Sequence, residues 1–125
     1  MKPSTPFSAL IALTAVATLA AVSAAQAVEC NVRGNRAVFG VAMNAGFNIK
    51  SGTACTSGYT AGGMVQNAKV SQQPQHGSVR LLNNSSFEYR SQPGYTGPDA
   101  FVIEATGSDT RGTGTSTVTY NVTVR

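Results

Sequence analysis

From Thr117 to Val124 polar and apolar residues alternate without a break. Thr117, Thr119, Asn121 and Thr123 form one set, and Val118, Tyr120, Val122 and Val124 the other. A helix, with about 3.6 residues per turn, would scatter both sets around its axis. An extended strand puts them on opposite faces, one dry and one wet, as in a half-buried antiparallel sheet. The same alternation recurs upstream. Phe101, Ile103 and Ala105 alternate with Val102 and Glu104, Phe87 and Tyr89 with Glu88 and Arg90, and Val79 with Arg80. Turn residues separate these runs: Gln75-His76-Gly77, Asn83–Ser86, Pro93–Pro98 and the polar stretch Gly107–Gly114.

The N-terminal half is less regular. Glu29–Val32 reads as a first strand, and Arg36–Ala42 as a second anchored by Val38 and Phe39. Phe47–Ile49 precedes a turn at Ser51-Gly52. Thr60–Gly63 reads as a loop, and Met64–Val65 as a short edge strand separate from Lys69–Ser71. No stretch of residues 28–125 keeps a helical period. The expected class is therefore all-β, with about seven strands in a sandwich or small barrel.

Residues 1–27 read differently. Lys2 gives a positive start, no charge occurs from Phe7 to Ala25, and Ala25-Gln26-Ala27 is a small-x-small site. This is the pattern of a secretory signal peptide, leaving one domain over residues 28–125 with no membrane span. Export would carry Cys30 and Cys55, the two cysteines of the chain, into an oxidising compartment. A structural Cys30–Cys55 disulfide is expected, closing a loop of about 25 residues worth roughly 3–4 kcal/mol. The formal charge is +4 with Lys2 included. The basic residues are scattered and do not interleave with aromatics, so no nucleic-acid partner is expected.

Several residues together carry a resemblance. Pro74-x-His76-Gly77-x-Val79, Phe87-x-Tyr89, Gly94-Tyr95-x-Gly97-Pro98-Asp99-x-Phe101 and Val118-x-Tyr120-x-Val122-x-Val124 follow one another in order. This resembles the bacterial immunoglobulin-like and cadherin-like domains, over about residues 70–125. The resemblance implies an immunoglobulin-like antiparallel β-sandwich. It also implies an adhesive, binding or structural role rather than catalysis. Some relatives bind calcium through acidic linkers between repeats; this chain has a single copy and no acidic cluster.

Candidate chemistry is sparse. His76 is the single histidine and stands in a turn beside Gly77. Asp99 opens a strand, where its carboxylate can accept turn N–H groups. Glu88 and Glu104 fall on wet strand positions, not as a catalytic pair. Tyr95 pins its Pro/Gly turn by ring and hydroxyl. Tyr59, in a loop after Cys55, and Arg111, in the Gly107–Gly114 loop, are the expected ligand-contacting residues, because sandwich loops usually carry binding. No catalytic residue, metal or cofactor is expected. The function expected is that of a secreted or periplasmic module recognising an envelope polysaccharide or a secreted or surface protein. The alternative is an accessory or inhibitor subunit of a secreted protein.

Overall fold

The computed structural model describes residues 3–4, 14–17 and 28–125. The leader expected over residues 1–27, with its cleavage site, falls almost wholly outside the described residues. Ten strands follow in chain order: β1 (Val28–Glu29), β2 (Arg36–Ala37), β3 (Ala42–Ile49), β4 (Ala54–Gly58), β5 (Thr60–Ala61), β6 (Met64–Gln72), β7 (Gly77–Asn83), β8 (Ser86–Ser91), β9 (Gly97–Asp109) and β10 (Gly112–Val124). Three of these are two-residue pieces, so the sandwich rests on seven longer strands, the number expected from the sequence. One sheet runs β1-β4-β8-β7, the other β3-β10-β9-β6, and β2 and β5 form a small pair.

The dry faces read from the sequence meet between the sheets. Phe87 and Tyr89 from β8 oppose Phe101, Ile103 and Ala105 from β9, and Val118, Tyr120, Val122 and Val124 from β10. Their rings lock together. Phe101 stacks on Tyr120 with centroids 4.8 Å apart, and Phe87 sits edge-on to both, at 5.2 Å and 4.8 Å. Full burial of each such side chain is worth about 1.5–3 kcal/mol. The disulfide joins Cys30 to Cys55 on β4, with Cα atoms 5.0 Å apart. It ties the first residues of the sandwich to the middle of one sheet.

Most long pairings are antiparallel, as expected, but β3 lies parallel to β10 over its whole length, Ala42 against Thr117 through Ile49 against Val124. Four local expectations need correction. Thr60–Ala61, expected within the loop Thr60–Gly63, is the short strand β5 paired with β2. The strand expected over Arg36–Ala42 stops at Ala37, because the chain turns at Phe39–Gly40, where Gly40 has φ 82°. The Phe39 ring leaves that path to cover Gly107, where an added Cβ would come within 2.5 Å of it. Met64–Val65 and Lys69–Ser71 are not separate. They belong to one nine-residue edge strand, β6, whose register shifts near Gln66 and Ser71 hid its alternation. The expected Gly107–Gly114 loop is mostly strand: β9 and β10 run on to Asp109 and Gly112, leaving Thr110–Arg111 as the turn.

Candidate functional site

The expected Tyr59 and Arg111 surface does not form. Tyr59 is 5% exposed and belongs to the core. Its backbone N–H donates to Ser85 O at 2.9 Å, and its hydroxyl donates to the carbonyl of Asn84. Burial pushes its hydroxyl pKa up. The ring thus props the β7–β8 turn from within, a duty invisible in sequence because Asn84 is 25 residues away. Arg111 is exposed at the hairpin tip, where its guanidinium meets Asp109 Oδ2 at 3.3 Å. The Arg111 backbone N–H donates to Asp109 Oδ1 at 2.8 Å, and this bond leads the effects that hold the Asp109 carboxyl below its ordinary range. Arg111 and Asp109 therefore serve one another within the turn.

At the opposite end of the sandwich, Asp99 gathers the motif residues. Its Oδ1 accepts the N–H groups of Gln75 (3.0 Å) and Ala100 (2.9 Å). Its Oδ2 accepts the Tyr89 hydroxyl (2.8 Å) and the His76 N–H (3.3 Å). A carboxylate so committed is a clamp rather than a general base. Burial, followed by the hydrogen bond to Asp99, pushes the Tyr89 hydroxyl pKa well up. Gly77 completes the arrangement: a Cβ there would lie 2.4 Å from Arg90 O and 2.9 Å from the Tyr89 hydroxyl. The His76 ring stacks on Tyr95, centroids 3.7 Å apart, and the Tyr95 hydroxyl donates to Pro98 O. The turn roles read for His76, Tyr95 and Asp99 are the ones they play. Glu88 pairs across the sheet with Arg80 at 3.2 Å, and Glu104 with Lys69 at 4.0 Å.

The surface with the most unspent chemistry is one the sequence did not indicate. An open groove of about 880 Å³ runs along the outer side of β3 and the end of β10. The chain before β2 forms one bank: Arg33 and Gly46 exchange backbone bonds, Arg33 N–H to Gly46 O at 2.9 Å and Gly46 N–H to Arg33 O at 3.0 Å. The parallel pairing places Asn121 beside Gly46 and Thr123 beside Asn48 on the other. Gly46 keeps the floor low, since a Cβ there would press to 3.0 Å from Asn121 O. Bonds from Arg125 N–H to Ile49 O (2.9 Å) and from Ser51 N–H to Arg125 O (2.8 Å) fix the far end, where Lys50 and Arg125 stand. Arg33, Lys50 and Arg125 are all exposed, and no Asp or Glu lines the groove. The polar row of β10 was legible, but nothing in the sequence brings residues 33, 50 and 125 together. The parallel β3–β10 pairing brings Lys50 and Arg125 together, and the Arg33–Gly46 bridge adds Arg33.

Compared with known proteins, the chain matches the family model described as "Bacterial Ig domain" over residues 12–123. No curated protein matches. Among solved structures, the chain is similar to an endo-fucoidan hydrolase of glycoside hydrolase family 107, at 12% identity and a TM-score of 0.38. That likeness covers 75% of this chain and 14% of the other, so the chain spans a small part of that protein.

Proposed function

This chain belongs to the bacterial Ig domain family, and on that premise we propose that it is an exported, non-catalytic binding module of the bacterial cell envelope or extracellular space. The disulfide favours an oxidising location, periplasmic or extracellular. The observation that carries the binding reading is the imbalance in charge use. Glu88, Glu104 and Asp109 are in ion pairs and Asp99 is a buried clamp, while three cations without an acidic partner line one groove. Side chains engaged only with solvent, in a concave site, are where a ligand gains most. Catalysis draws no support from the same geometry, because Glu88, Asp99, Glu104 and Asp109 are engaged structurally, the His76 ring is stacked on Tyr95, and Glu29 lines a hollow with no second acidic residue or histidine beside it.

A second reading, an accessory or inhibitor subunit for a secreted protein, has one observation in its favour. Met64 is 72% exposed, and Val41 and Leu82 are also exposed. The Met64 and Leu82 segments meet at the Tyr59 end of the sandwich, where the Asn84 amide donates to Gln66 O. An apolar patch of that kind suits a protein partner. The two readings separate in a pull-down of oxidised protein against fractions of its own envelope and secretome. Retention of a polysaccharide fraction supports the first, and stoichiometric capture of one protein supports the second. No retention by any fraction would sink both.

A further inference from the structure

We infer that the groove formed by the Arg33 segment, β3 and the end of β10 binds an acidic polysaccharide, a sugar chain bearing carboxylate or sulfate groups. The inference rests on the binding-module reading and names its ligand class. Five cations of the sandwich have no ion-pair partner among the described residues: Arg33, Arg36, Lys50, Arg90 and Arg125. Three of them line this groove, and it has no acidic residue. Glu29 faces an adjoining hollow beyond Asn31 and not the groove itself. The charged side chains of this lining are all cationic, and they attract anionic ligands over a distance of about a Debye length.

The residues between the cations specify the rest. Asn31, Asn48 and Asn121 supply amides that both donate and accept, and Ser51 and Thr123 supply hydroxyls. These groups match the vicinal hydroxyls of a sugar ring, while the cations match acidic substituents spaced along a polymer. The groove is also open and runs along the strands, so a chain can lie in it without having to thread an end. Two other polymers fit less well. Single-stranded nucleic acid is held by stacking on exposed aromatics; the single aromatic in this lining, Phe47, is 5% exposed with its ring in the core. A protein partner seeks a central apolar anchor, and Ile49, like Phe47, is buried.

The test is affinity electrophoresis of the oxidised protein through gels containing polygalacturonate, dextran sulfate, neutral dextran or oligodeoxythymidylate. Retardation by polygalacturonate or dextran sulfate, but not by neutral dextran, is expected, and the tighter of the two shows whether carboxylate or sulfate is the recognised group. Retardation should weaken as salt rises. The double variant R33E/K50E should lose about tenfold or more in affinity. The control K69E/R90E makes the same charge change outside the groove and should lose less than about twofold. Circular dichroism establishes that both variants fold. Equal losses in the two variants, tighter binding to the oligonucleotide, or no retardation by either acidic polysaccharide would overturn the inference. Repeating the fractionation with R33E/K50E separates the levels of failure. A fraction held equally by variant and parent removes the polysaccharide groove but leaves a binding module; no retention by either protein removes both.

Discussion

At the scale of single residues, Asp99 holds the most interactions. Its two oxygens organise the turn before β7, the start of β9 and the hydroxyl of Tyr89 on β8, so one carboxylate fastens both sheets at one end. Asp99→Ala leaves a buried hydroxyl and several turn N–H groups without their acceptor. A loss of about 2–4 kcal/mol is expected in urea unfolding, and a loss under about 1 kcal/mol would mean that water replaces the carboxylate. Gly77→Ala should cost about 1–3 kcal/mol through overpacking, because its Cβ would meet Arg90 O and the Tyr89 hydroxyl. The motif spacing made Asp99 legible as a turn acceptor. Tyr89 as its partner was not legible, since alternation marked that residue only as core. A tyrosine whose ring is buried and whose hydroxyl reaches a carboxylate reads in sequence as any other aromatic.

At the scale of elements, the C-terminal strands could be read because their period is unbroken. Two kinds of element could not. β6 is interrupted by register shifts that displace its side chains from strict alternation. β3 pairs parallel with a strand far along the chain, and no local pattern announces such a partner. The groove inherits that difficulty: its cations belong to three segments, joined by the Arg33–Gly46 bridge and by the docking of β3 on β10. The disulfide was legible from the cysteine count and the expected export. Reduction should cost roughly 3–4 kcal/mol, lowering Tm by more than about 10 °C for a domain of this size. A midpoint unmoved by reductant would show that the Cys30 segment adds little to the cooperative unit.

At the scale of the whole molecule, the aromatic core sets an alkaline limit. Burial pushes the Tyr89 and Tyr120 hydroxyls well above the ordinary value of 10.0, with the hydrogen bond to Asp99 adding to the effect at Tyr89. A group whose folded pKa is raised contributes stability that is fully present below its unfolded pKa and is lost as pH rises toward the folded one. Denaturant midpoints should therefore hold up to about pH 10 and then fall, and Tyr89→Phe should soften the fall. If absorbance at phenolate wavelengths showed all four tyrosines ionising reversibly with circular dichroism unchanged, these rings would not be sealed in the core.

The bridge between Cys30 and Cys55 has a mechanical side. Together with the backbone it closes a covalent ring, 25 residues apart in sequence, and β2 and β3 lie inside that ring. A pull applied between the two ends of the sandwich would reach Cys30, cross the sulfurs and enter the fold at β4, so that β3 lies outside the covalent path and takes load only through its pairing with β10. In the reduced protein the same pull passes through β3 and shears its eight-residue parallel pairing with β10 lengthwise, so the bonds must yield together. The oxidised molecule should then extend less on unfolding by roughly 80–90 Å, the length of the shielded loop at about 3.3–3.6 Å per residue. Single-molecule stretching in the presence and absence of reductant reads that difference directly. Oxidation thereby takes the backbone of β3 out of the covalent path of the load, while the end of β10, which lines the same groove, stays at the pulled end.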